Sequence, residues 1–203
     1  MGQYYRPCLL APDFKENNQN PVLATADCYF YANGAKLMEH SWVGNWFVAA
    51  ACTFLFKNKT FPFVWCGDYA DAPSDIYKGV DEKGEEWENN MYRYACAGDF
   101  DTKYSQDVIG EMTEARYAEL EPKMKYIINH SKKEYVVIPE KKEDEWTIHP
   151  LPLLTADGNG AGGGDYHRGT DMNKVGIWAY DIIEVGDEIP EGYTELKVDF
   201  KED

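Results

Sequence analysis

The stretch Lys36–Lys57, KLMEHSWVGNWFVAAACTFLFK, decides how this chain is read. Val43, Phe47, Ala50 and Phe54 recur at helical spacing and Trp46 widens the apolar face, so the segment predicts an amphipathic helix over about 36–57. Gly44 interrupts the pattern, and Ser41 offers a cap for a shorter helix starting at Trp42. An apolar face of this kind needs a sheet to cover it.

Such strands flank the segment on both sides. Upstream, Gln3 to Leu10 is aromatic and β-leaning, Pro21 opens an extended run through Tyr29, Phe30 and Tyr31, and Asn33-Gly34 marks a turn. Downstream, Phe61 to Cys66 reads as a buried strand ending at Gly67. Glu111 to Leu120 predicts a short helix stopped near Pro122. Tyr126 to Asn129 and Glu134 to Ile138 predict a hairpin across His130-Ser131-Lys132-Lys133. Pro150 and Pro152 predict an extended Trp146 to Leu154, and alternation predicts strands at Val175–Val185 and Glu195–Phe200. The expectation is an α+β fold. One domain, 1–203, would hold a mixed or mainly antiparallel sheet on one main helix, with a loop-rich excursion at 71–110 and an acidic C-terminal segment at 186–203.

Composition narrows the function classes. Hydrophobic residues make up 44% of the 203 positions and aromatic ones 15%, enough for a real core with tyrosine and tryptophan to spare for a surface. The formal charge is -16, from 20 Lys and Arg against 36 Asp and Glu. Direct binding to a nucleic-acid backbone is therefore not expected, because that affinity comes from cationic side chains releasing counterions. An acidic surface either solubilises the chain, or mimics nucleic acid or docks on a protein partner with a basic surface. The five cysteines, Cys8, Cys28, Cys52, Cys66 and Cys96, form no C-x-x-C pair and fit reduced thiols. The N-terminus lacks a secretory pattern, and the apolar run Trp42–Phe56 is too short to span a bilayer, so no membrane and a cytoplasmic location are expected. Asn58-Lys59-Thr60 and Asn129-His130-Ser131 match the glycosylation triplet, which means little without secretion.

The segment Asp157-Gly158-Asn159-Gly160-Ala161-Gly162-Gly163-Gly164-Asp165-Tyr166 contains G-x-G-x-x-G at Gly158, Gly160 and Gly163. A dinucleotide site needs a strand before and a helix after, and the flanking prolines and polar residues supply neither. No Gly-Lys-Ser/Thr closes the segment as a phosphate loop would require. As a calcium loop it fails at Ala161 and Arg168, leaving Asp157, Asn159 and Asp165 as loose divalent ligands. A mobile or tightly turned loop with several glycines at positive φ is the favoured explanation of the composition. Asp157, Asn159, Gly160, Gly162, Gly163, Asp165 and Tyr166 stand as ligand-binding candidates, with no metal or cofactor implied.

Among the histidines, His40, His130, His149 and His167, none pairs at i, i+4 and no H-E-x-x-H occurs. Asp68 follows the predicted buried strand, where a carboxylate acts as a base beside a histidine or caps the next turn. Asp68, His40, His130 and His149 are the catalytic candidates.

Five stretches carry a resemblance when taken together: Met1-Gly2-Gln3-Tyr4-Tyr5-Arg6-Pro7, Leu37–Asn45, Gly67-Asp68-Tyr69-Ala70-Asp71, Tyr126–Tyr135 and Ile148–Tyr166. They resemble a family of small proteins of bacteria and their phages that begin MGQYY. The resemblance covers most of the chain, least between Ala72 and Glu121. It implies no activity and transfers no catalytic residue; by analogy it favours an interaction role inside a bacterial cell.

Three functions follow. A non-catalytic binding or interaction domain with an acidic, aromatic-rich surface accounts for most of the sequence. A small hydrolase-like enzyme would bring Asp68 and histidines beside the glycine-rich loop. A nucleotide or anion binder would use the backbone N–H groups of Gly158–Gly164.

Overall fold

Strand β1 (Tyr5–Leu10) buries Tyr5, Cys8 and Leu10 and lies between β2 (Val22–Thr25) and β3 (Phe63–Gly67), antiparallel to both. The chain is described by a computed structural model over residues 3–16, 21–70, 78–80, 83–84, 86–88, 90–97, 111–142, 146–158 and 171–200. β3 is buried at every position, which explains its unbroken apolar sequence. On its far side β8 (Ala156–Asp157) runs parallel, giving the order β2-β1-β3-β8.

A second sheet has the order β10-β7-β6-β9. Here β6 (Tyr126–Asn129) and β7 (Glu134–Val137) form the expected hairpin, β9 (Ile183–Gly186) joins antiparallel and β10 (Thr194–Glu195) joins parallel. Strands β4 (Lys78–Val80) and β5 (Glu86–Glu88) make a separate antiparallel pair, followed by helix α3 (Met91–Ala97).

The main helical segment is broken. Leu37–His40 forms the single turn α1, and helix α2 spans Trp46–Leu55. Gly44 takes φ +87, and Asn45, not Ser41, caps α2 by accepting from the amides of Phe47 at 2.9 Å and Val48 at 3.2 Å. The break lets Trp42 bridge to Ile148, so one face of the predicted helix becomes a short extended pairing. α2 then buries Phe47, Val48, Ala51, Cys52 and Leu55. These pack in one cluster with Tyr5, Phe63 and Trp65 of the first sheet and Ile127, Val136, Ile183 and Val185 of the second. A single α+β domain results, with both mixed sheets on one core.

Four other expectations change. The extended run expected from Pro21 through Tyr29, Phe30 and Tyr31 ends at Thr25, and Cys28–Tyr31 is a 3-10 turn whose start is capped by Asp27 accepting from the Tyr29 amide. Pro150–Leu154 is helix α5, not an extended run. Pro150 and Pro152 occupy the first turn, where the missing amide protons have no intrahelical acceptor to lose, and His149 caps the start. Val175–Val185 is not one strand: Gly176 at φ +76 and Tyr180 at φ +68 turn the chain so that Trp178 enters the core, and pairing begins only at Ile183. The predicted strand at Glu195–Phe200 is reduced to Thr194–Glu195. The helix expected at Glu111–Leu120 is α4 (Glu114–Leu120), capped by Thr113, whose hydroxyl accepts from the Arg116 amide.

Candidate functional site

Asp68 and Asp157 stand at the C-terminal ends of the neighbouring parallel strands β3 and β8, where Cys66 pairs with Asp157. The fold therefore brings Asp68 to the same sheet end as the start of the glycine-rich segment. Both carboxylates have partners. Asp68 accepts from the Tyr4 amide at 3.0 Å and donates its own amide to the Tyr4 carbonyl at 2.9 Å, clasping the N-terminal strand. Asp157 accepts from the Tyr180 hydroxyl. Burial and that carboxylate push the Tyr180 phenol well above its ordinary value. Asn159, Gly160, Gly162, Gly163, Asp165 and Tyr166 lie outside the described residues, as does His167.

The histidines go elsewhere. His40 is wholly buried: its Nδ1–H donates to the Gly34 carbonyl at 3.0 Å, and its Nε2 accepts from the Trp65 indole at 3.0 Å. That pair of bonds fixes a neutral tautomer, and burial lowers the pKa to about 4. His149 caps α5 through Nδ1, which accepts from the Leu151 amide at 3.3 Å. Burial takes it to about 3. His130 sits in the β6–β7 turn, its Nε2–H on the Glu184 carboxylate at 2.6 Å and its Nδ1 on the Tyr193 hydroxyl at 2.8 Å. Among the described residues no hydrogen bond joins any two of Asp68, His40, His130 and His149, and no three His, Cys, Asp or Glu side chains gather as metal ligands. His40, His130 and His149 each hold structure together.

The surface feature with the shape of a binding site lies where α1, the helix break and residues 141–147 meet. A cavity of about 610 Å³ is lined by Asn33, Trp42, Asn45, Lys141, Lys142 and Trp146 among others. The Trp42 and Trp146 rings meet at 4.6 Å and 58°, and Trp146 remains 62% exposed. Trp42 is placed by its bridge to Ile148 and by the Val43 amide, which donates to the Thr147 carbonyl at 2.8 Å. Gly44 is favoured by its φ of +87, and the Lys141 side chain passes close over it. The Asn45 side chain caps α2 with its oxygen and donates to Asn33 Oδ1 at 2.6 Å with its nitrogen, locking the floor.

On the adjoining elements more aromatic surface is open. Tyr29 and Phe30 belong to the 3-10 turn Cys28–Tyr31 that packs on α2, and Trp46 is the first residue of α2. They are 77%, 54% and 38% exposed. Sequence reasoning placed Trp46 on a buried helix face, named Trp42 as the start of an alternative shorter helix and assigned no role to Trp146. The usable signal was the density of tryptophan on both sides of the Gly44 break, because large aromatics left wet are what binding surfaces accumulate.

Comparison with protein-family models, curated proteins and solved structures finds no match for the chain. The described residues contain no helix long and apolar enough to cross a membrane.

Proposed function

We propose that this chain is a non-catalytic binding domain that takes its partner on the aromatic face around Trp42 and Trp146. The exposed Trp146 indole, seated on Trp42 above a formed cavity, is the observation that carries the reading. Burying such a ring removes a large apolar area from water, and tryptophans of this kind dominate binding energy where they meet a partner. The floor is held by the Asn33–Asn45 bond and the α2 cap, so little ordering cost remains to be met on binding. The whole-chain charge of -16 favours a partner with a basic surface through long-range steering, while Lys141 and Lys142 line the cavity itself. A catalytic role has less support, because His40 and His149 are buried and neutral and Asp68 is used in a backbone clasp.

A fluorescence titration with short Arg- and Lys-rich peptides carrying one aromatic residue tests this. Saturable change in tryptophan emission, lost in Trp146→Ala and weakened by 0.5 M salt, is the expected result. Basic peptides that give no saturable change, or bind Trp146→Ala as they bind the parent, would exclude the reading.

A further inference from the structure

The chain carries a formal charge of -16, yet the cavity beside Trp42 and Trp146 is locally positive. Lys141 and Lys142 line it, and Glu39 is the carboxylate among its described lining residues. Glu39 is already committed: its Oε2 accepts from the Lys36 amide at 3.0 Å, and its Oε1 lies 3.5 Å from the Lys36 ammonium. The Lys141 ammonium is not. Among the described residues it has no hydrogen-bond or ion-pair partner. Its side chain lies over Gly44, with Nζ 3.4 Å from where a Cβ on that glycine would stand. That places the cation at the start of α2, where Asn45 caps the helix and the end of the helix dipole is positive. Thr147 lines the same cavity, and its hydroxyl oxygen is buried with no partner among the described residues. An unpaired cation, a helix N-terminus and an unused hydroxyl together suit an anionic oxygen.

We propose that this cavity reads the free C-terminal carboxylate of a partner chain that ends in an aromatic residue. The inference rests on the binding-domain reading above and names what that face recognises. The terminal ring packs on the exposed Trp146 indole, which is seated on Trp42. The α-carboxylate, a few atoms from that ring, accepts from the Lys141 ammonium and the Thr147 hydroxyl. At about 610 Å³ the cavity has the size of a small-molecule site, which admits a chain end and not a helix or strand. An internal aromatic residue would bring no charge to Lys141, and a basic side chain there would be repelled. Basic residues upstream of the terminus meet the acidic exterior instead.

Two peptides test this on the full chain by amide chemical shifts: acetyl-Lys-Lys-Gly-Gly-Phe with a free carboxylate, and the same peptide as its C-terminal amide. The free carboxylate is expected to shift Val43, Asn45, Trp146 and Thr147 saturably and to bind about tenfold more tightly than the amide. Salt at about 0.5 M, or Lys141→Gln on this exposed side chain, should bring the two within about twofold. Equal affinity of the two peptides, with both lost in Trp146→Ala, would overturn the proposal and leave the aromatic-face reading standing. A full preference retained in Lys141→Gln would overturn it as well. No saturable shift from either peptide would sink both readings. A third peptide ending in Asp-Phe-amide moves the carboxylate onto a side chain, and binding as tight as that of the free terminus would show that the chain end is not what is read. The comparison of carboxylate with amide requires no variant, so it stands whether or not Lys141→Gln folds.

Discussion

The indole N–H of Trp65 donates to Nε2 of His40 across 3.0 Å in the interior of the molecule. The two rings also stack at 5.4 Å, and Phe47 meets the imidazole edge-on at 5.0 Å. One hydrogen bond thus ties the turn before the helix break to the central strand β3, and the opposite ring nitrogen ties it to Gly34. Replacing His40 by Ala removes both bonds, orphans the buried Trp65 donor and opens a cavity. Urea unfolding should show a loss of about 3 kcal/mol or more. A loss below about 1 kcal/mol would mean the ring is not an anchor.

The buried histidines also set an acid limit. Both have an ordinary value near 6.5 when unfolded and are held at about 4 for His40 and about 3 for His149 in the fold. Below pH 6.5 the unfolded chain takes up protons that the folded chain refuses. The stability these groups contribute is therefore complete above about 6.5 and declines as pH falls. Each adds a slope of about 1.4 kcal/mol per pH unit until its folded value is reached. His149→Asn should flatten the pH dependence of unfolding between pH 6.5 and 4; a profile parallel to the parent's would refute this.

Asn58 is a hub between the sheets. Its Nδ2 donates to the carbonyls of Phe61 at 2.8 Å and Ile183 at 2.9 Å, and its Oδ1 accepts from the Phe61 amide at 3.0 Å. Asn58→Ala strands a buried carbonyl on β9, and thermal unfolding should report a loss of about 2–4 kcal/mol. Neither glycosylation triplet offers an open acceptor in the fold, since Asn58 and Asn129 are buried at 6% and 0% exposure.

Four of the five cysteines are buried and Cys96 is exposed. Cys8 and Cys66 lie side by side, Sγ to Sγ 3.4 Å, as reduced thiols, and burial pushes the Cys66 thiol well up. A thiol reagent under native conditions should label Cys96 first, with the others reacting only as the chain unfolds. Mass mapping that finds Cys8 or Cys66 modified as fast as Cys96 would contradict the packing.

Gly176 turns the chain where a strand was expected. Its φ is +76, and a Cβ would stand 2.6 Å from the Ala156 carbonyl oxygen. Gly176→Ala should cost about 2 kcal/mol or more in denaturant unfolding, since both the conformation and the contact oppose the methyl group. A neutral substitution would show that the Trp178 turn is slack.

Local chemistry was enough for β1, β3, the β6–β7 hairpin and the apolar character of α2. Their signals, an aromatic β-leaning run, an unbroken apolar run, a polar four-residue turn and helical spacing, act between near neighbours in the chain. The acidic balance and the aromatic surplus belong to composition and needed no fold. The break at Gly44, the helix at Pro150 and the turns at 175–180 could not be read that way. Trp42 leaves the helical path only because Ile148, more than a hundred residues on, is there to pair with it, and Trp178 turns inward only because the core between two sheets has room. The same holds for the sites. That Lys141 lies over Gly44 and that Trp146 rests on Trp42 are contacts between residues distant in sequence. Their cost and benefit arise only once tertiary packing has chosen which side chains leave water.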